Sequence, residues 1–145
     1  VKWLLDTNVV SEGIRLRPNR KVVSWVEQHP LDDLAISIVT MAELQDGAAS
    51  GGPEDRLAQW LEDTVLPSFA ERTLPLTLPV LIEWIRLSRR LAAERMTRKA
   101  SDLLIAATAR HHGLTVVTRN LRDFVPTGVA VYNPWTDETQ RMEAP

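Results

Sequence analysis

Short runs of Ile, Val and Leu, each halted by polar residues and each followed by a stretch of helical spacing, constrain this chain more than any other feature. Residues 1–5 run into Asp6-Thr7-Asn8, residues 34–39 into Thr40, and residues 114–118 into Arg119-Asn120. Runs of this length and β-branched content read as strands. Residues 73–76 and 129–132 are weaker strand candidates. Helical spacing marks 22–28, 41–49, 56–66, 80–96 and 101–112. Pro53 with Glu54 and Asp55 has the chemistry of a helix's first turn, Gly51-Gly52 that of a helix stop, and Gly113 that of a C-terminal cap. Strands alternating with helices predict an α/β protein, an α/β/α sandwich around a central, mainly parallel sheet. Such sheets carry their ligands beyond the carboxyl ends of the strands.

A length of 145 residues allows one domain, expected over residues 1–135, with a polar tail over 136–145 that looks loosely held. With 44% hydrophobic and 25% charged residues, a folded globular chain is expected. The first five residues are too few for a signal sequence and no later stretch reads as a membrane span, so the expected address is the cytoplasm, with no membrane partner. There is no cysteine, which excludes disulfides and thiolate zinc sites. His29, His111 and His112 are poorly spaced for a zinc cage and are expected at the surface or at helix ends. A net charge of −2 gives no global attraction to nucleic acid, so such a partner needs a local basic patch.

Four acids fall where a parallel sheet would carry chemistry. Asp6 follows the first strand directly; alone, it is as readily an Asx turn or a helix cap. Glu43 sits just past the second strand, and Thr40-x-x-Glu43 ahead of a helix has the form of a capping box. Asp102 falls in the first turn of a predicted helix, where a carboxylate gains from the helix dipole without any catalytic role. Asp123 follows the strand at 114–118 by a few residues and could be a solvated turn acid. Four independent caps account for this placement less well than one site at one sheet edge. Two carboxylates about 4 Å apart repel by roughly 4 kcal/mol at an effective dielectric near 20, so a cluster needs cations or protons. All-oxygen ligation without His or Cys suits hard ions such as Mg2+ or Mn2+. Such ions polarise phosphoryl oxygens and activate water, which is the chemistry of phosphodiester hydrolysis.

Together, Leu4-Leu5-Asp6-Thr7-Asn8-Val9-Val10-Ser11-Glu12, Thr40-Met41-Ala42-Glu43-Leu44, the run from Ala100-Ser101-Asp102 to Ala109, and Thr118-Arg119-Asn120 followed by Asp123-Phe124 resemble the PIN-domain family. Within it they resemble the VapC-type toxins and their FitB-like branch, over nearly the whole chain. Val131-Tyr132-Asn133-Pro134-Trp135 looks like that branch's closing strand and turn. The resemblance implies a PIN-like α/β/α sandwich and a metal-dependent endoribonuclease, the toxin of a type II toxin-antitoxin system. Asp6, Glu43, Asp102 and Asp123 would be its catalytic acids, with Asp6 and Asp102 on Mg2+ or Mn2+. It further implies that Asn8, Thr40, Thr118 and Asn120 orient carboxylates or water. By the same resemblance, water would attack phosphorus without a covalent enzyme intermediate, leaving a 5'-phosphate and a 3'-hydroxyl. The implied partners are an RNA substrate, a second copy of the chain in a homodimer, and a small cognate antitoxin of the VapB or FitA kind, through which alone operator DNA would be bound.

Arg86, Arg89, Arg90, Arg95, Arg98 and Lys99 put six basic residues into fourteen positions against the single acid Glu94, directly ahead of Asp102. Arg86, Arg95, Arg98 and Lys99 are candidate RNA contacts; a solvated helix face with a basic last turn is the structural alternative. Trp25, Trp60 and Trp84 sit in helical segments and suit core packing better than an interface. A haloacid-dehalogenase-like site would place a second Asp where Asn8 stands. A receiver would have a late lysine where Arg119 stands, and the glycines at 47, 51 and 52 lack the Gly-Lys-Ser or Gly-Lys-Thr of a P-loop. The rival of another class is a non-catalytic PIN-like module that binds RNA or protein through the same groove.

Overall fold

The computed structural model describes residues 1–51 and 56–142. Along the chain run β1 (Trp3–Leu5), α1 (Thr7–Glu12), α2 (Arg20–Gln28), β2 (Leu34–Ser37) and α3 (Ile38–Ser50). They are followed by α4 (Arg56–Trp60), α5 (Leu66–Phe69), β3 (Thr73–Leu74), α6 (Leu78–Ala93) and α7 (Ala100–His112). The chain closes with β4 (Thr115–Val117), α8 (Leu121–Phe124), β5 (Val131–Tyr132) and β6 (Thr139–Gln140). The six strands form one sheet in the order β3-β2-β1-β4-β5-β6, parallel throughout except for the antiparallel β5–β6 pair. This is the mainly parallel α/β arrangement expected from the alternation of runs.

Register explains why such short strands suffice. Leu4 pairs with Ala35 and Val116, and Leu5 with Ile36 and Val117. Because successive residues point to opposite faces, Leu4, Ala35 and Val116 join one core with Val80, Leu87, Ile105 and Ala109 of α6 and α7. Leu5, Ile36 and Val117 join the other, with Val9, Val22, Leu44, Val65 and Phe69. Both faces are therefore covered, and the polar residues that end each strand emerge at one edge.

Several boundaries move, each for a local reason. The second strand stops at Ser37, whose Oγ accepts from Val39 N at 3.0 Å and so caps α3 at Ile38. Thr40 is consequently a fully buried residue inside α3, and the capping-box alternative for Thr40 and Glu43 is not formed. The helix expected over 56–66 is a continuous helical run reaching Phe69, with a wider π turn at Leu61–Val65 between α4 and α5. The helix expected to reach Met96 ends at Ala93, where Arg95 takes a positive φ of 57°. Gly113 closes α7 in the left-handed conformation, φ 66°, its N–H and that of Leu114 returning to the carbonyls of Arg110 and Ala109. Thr139 and Gln140, in the stretch expected to be loosely held, pair with Tyr132 and Val131. Gly51 caps α3 as expected, while the turn at Pro53, Glu54 and Asp55 lies outside the described residues. Among the described residues no helix is long and apolar enough to cross a membrane.

His29 caps α2, with its Nδ1 2.6 Å from the carbonyl of Trp25, and His111 and His112 end α7. Trp25 packs with Trp3 and Tyr132, and Trp60 and Trp84 lie half-buried against the two cores.

Candidate active site

Asp6 is the hub of the sheet edge. It leaves β1 in an extended conformation and its Oδ1 accepts from Thr7 N at 2.8 Å, which starts α1 at once. Its Oδ2 accepts from Thr118 Oγ1 at 2.8 Å and from Asn8 Nδ2 at 3.3 Å. Thr118 follows β4, the strand beside β1, so the parallel register brings the two together across 112 residues of chain. Asn8 Nδ2 also lies 3.4 Å from Thr118 Oγ1, and its Oδ1 accepts from Arg119 N at 3.2 Å. Asn120 N donates to Thr118 Oγ1 at 3.0 Å. Asn8 and Thr118 thus fix the Asp6 carboxylate directly, whereas Asn120 enters this network through its backbone.

Glu43 reaches the same edge from the second turn of α3. Its Oε1 accepts from Thr7 Oγ1 at 3.0 Å, and Thr7 Oγ1 lies 3.5 Å from Thr40 Oγ1. Thr40 therefore acts on Glu43 only through Thr7, a residue that sequence reasoning did not single out. The available signal was weak: Thr7 is the first residue of a six-residue helix whose start is marked by Asp6 alone.

Electrostatics tie all four acids together. Burial pushes the Asp6 carboxyl up, the hydrogen bonds from Thr118 and Thr7 oppose that, and the charges of Glu43 and Asp123 push it up further. Asp102, in the first turn of α7, is raised to about 6 by burial first and then by Asp6 and Asp123, with Lys99 pulling the other way and Glu43 adding to the rise. A pair of carboxylates that resists ionisation at a sheet edge is the physical mark of a site organised around positive charge. Among the described residues no three His, Asp or Glu side chains are grouped closely enough to hold an ion between them. The donor set nonetheless fits a hard cation, because Mg2+ commonly binds through one or two carboxylates and keeps several waters.

The basic residues divide. Lys99 acts on Asp102, and Arg98 donates to the carbonyls of Thr97 and Arg122, which brings it to α8 beside Asp123. Arg86 is taken up by Glu83 at 3.1 Å, and Arg90 donates to the carbonyl of Pro126. No contact joins Arg86 or Arg95 to the four acids among the described residues. A separate cavity of about 300 Å3, bounded by Val9, Val22, Trp60 and Phe69, is apolar and contains none of the four acids.

A parallel-sheet sandwich with Asp6, Glu43, Asp102 and Asp123 drawn to the strands' carboxyl edge defines the class. The chain belongs to the PIN-domain family, whose model matches residues 3–126. It is 42% identical over 137 residues to Toxin FitB of Neisseria gonorrhoeae, covering 92% of this chain and 99% of that protein. VapC ribonuclease Y4jK of Sinorhizobium fredii is 35% identical over 135 residues, 91% of this chain and 96% of that protein. Among solved structures, the crystal structure of FitAcB from Neisseria gonorrhoeae superposes with a TM-score of 0.87 at 39% identity, covering 92% of this chain and 99% of that one.

Proposed function

We propose that this protein is a metal-dependent endoribonuclease, the toxin of a toxin-antitoxin pair, and that Asp6, Glu43, Asp102 and Asp123 are its catalytic acids. The observation that carries this reading is the convergence of four acids at one edge of the sheet, where Glu43 and Asp123 oppose ionisation of Asp6, and Asp6, Asp123 and Glu43 oppose that of Asp102. Likeness to a protein named a VapC ribonuclease and to one named a toxin supports the activity and the cellular role.

Asp6 and Asp102 would hold the ion, Mg2+ or Mn2+. When bound, a divalent cation supplies Lewis acidity toward a phosphoryl oxygen and a lowered pKa for a coordinated water. The chain does the rest. Thr118 and Asn8 hold the Asp6 carboxylate in one orientation. Thr7 steadies Glu43, which would accept a proton from the attacking water, with Asp123 as the fourth acid. Asn120 presents its amide near Thr118, and Lys99 offers a cation beside Asp102. No serine or cysteine nucleophile is required; the products would carry a 5'-phosphate and a 3'-hydroxyl.

A ribonuclease that cuts its host's RNA has to be held in check. The partner in this reading is a small antitoxin of the VapB or FitA kind, which would also carry the complex to operator DNA, while the toxin itself works as a homodimer in the cytoplasm. Incubating the purified chain and Mg2+ with a pool of structured RNAs, followed by end analysis of the fragments, tests the reading. Discrete fragments with 5'-phosphates are expected; intact RNA with either Mg2+ or Mn2+ would reject it and favour a binding module.

A further inference from the structure

Beside the acids, the loop after β4 and the β5–β6 hairpin enclose a polar cleft of about 1000 Å3. Asn120 and Asp123 lie in its wall, so it is continuous with the carboxylate cluster, and Arg98, Arg119 and Arg122 line it as well. Arg98 is already committed, since its guanidinium donates to the carbonyls of Thr97 and Arg122 and pins α8. Arg119 and Arg122 are different: both are exposed, and among the described residues neither makes a salt bridge.

Arg119 is also held in place. Its backbone N–H donates to Asn8, its carbonyl accepts from Asn133 Nδ2 at 3.3 Å, and its guanidinium carbon lies 5.4 Å from the centre of the Trp135 ring. At that distance the cation–π contact with Trp135 draws the guanidinium toward the ring while its N–H groups remain available to an acceptor such as phosphate. A cation that shares a cleft with Asp123 and Glu138 yet makes a salt bridge with neither among the described residues points to an anion that arrives from outside.

Resting on the ribonuclease reading, we infer that Arg119 and Arg122 form a phosphate track that holds the RNA strand on the β5–β6 side of the scissile bond. The track positions substrate and takes no part in the chemistry. It reads backbone phosphates, so it contributes affinity and salt dependence with little sequence preference.

The test separates binding from cutting. A fluorescein-labelled 12-nucleotide single-stranded RNA of mixed sequence is titrated, with Mg2+ present, into the Asp6→Asn protein. The same titration is made into that protein carrying R119Q and R122Q, and into one carrying R119K and R122K. Loss of two phosphate contacts should raise Kd about tenfold and lower the slope of log affinity against log salt by about 1.4; the lysine pair should restore the slope. Equal Kd and slope in the glutamine variant would overturn the track, as would absence of any RNA binding by Asp6→Asn itself. Arginine-dependent binding with no cutting by the unmodified chain would leave the track standing and reject the nuclease. Cutting with arginine-independent binding would do the reverse.

Discussion

Asp6→Asn is expected to lower RNA cleavage at least about 1000-fold while the protein stays folded, a loss equivalent to about 4 kcal/mol of transition-state stabilisation. The substitution keeps the side chain's shape and leaves an Oδ1 to cap α1 through Thr7 N. What it removes is the charge that burial and the neighbouring acids already oppose. The new NH2 group faces Thr118 Oγ1 and Asn8 Nδ2, both donors to Oδ2 in the native site, so the hydroxyl must rotate to accept. That mismatch costs about 1 kcal/mol, and relief of a buried charge offsets it. Cleavage assays beside far-ultraviolet circular dichroism and urea unfolding check both halves. A folded Asp6→Asn protein that cuts at the native rate would remove Asp6 from the chemistry.

Asp102→Asn should move activity and stability in opposite directions. The folded-state pKa of Asp102, about 6, lies above the ordinary 3.8. The folded protein therefore binds the proton more tightly than the unfolded chain does. The stabilisation that this gives is complete below pH 3.8 and is lost as pH rises through about 6. At pH 7 the ionised carboxylate thus works against the metal-free fold. A shift of this size corresponds to under about 3 kcal/mol for a fully buried group, which solvent screening of this half-exposed one reduces to about 1 kcal/mol. In EDTA, Asp102→Asn is expected to be about 1 kcal/mol more stable than the native chain at pH 7 and no more stable near pH 3.5. Saturating Mg2+ should stabilise the native chain by about 3 kcal/mol at 100 times its Kd and leave the variant unmoved. Cleavage by the variant should fall by about 100-fold or more, the scale of losing a metal ligand. Urea unfolding at both pH values, with and without Mg2+, measures this. A variant less stable than the native chain at pH 7 in EDTA would contradict the electrostatic account.

The sheet was legible because its central strands, Trp3–Leu5, Leu34–Ser37 and Thr115–Val117, are mostly apolar and stop abruptly, two of them directly before site residues, Asp6 and Thr118. β6 was not, since Thr139 and Gln140 carry no hydrophobic signal and owe their conformation to pairing with β5. The π turn at Leu61–Val65 was equally hidden, because its apolar residues match helical spacing and only packing of Leu61 and Val65 into the core reveals the wider turn.

Around the acids the division is similar. The placement of Asp6 and Glu43 followed from strand ends, and that of Asp102 from the first turn of its helix. The tie from Thr118 to Asp6 depends on parallel register between β1 and β4, which local sequence does not encode. Thr40 looked like a cap because Thr-x-x-Glu precedes a helical pattern, but Ser37 lies closer to the strand end and captures the role. Glu12 offers a further case. Sequence reasoning gave it no role, yet it is 3% exposed, with Oε1 accepting from Asn19 N at 2.7 Å and Oε2 from Arg15 at 3.3 Å. A loop folding back over a helix end is a tertiary event with no periodic trace.

One titration tests the central claim most directly: Mn2+ added stepwise to metal-free protein, with bound ion followed by electron paramagnetic resonance and RNA cleavage measured in the same samples. The acid cluster predicts that ion binding and cleavage rise together, with one half-saturation point, and that both vanish in Asp6→Asn. Full-rate cleavage before any Mn2+ is added, or saturable Mn2+ binding that persists unchanged in Asp6→Asn, would contradict it.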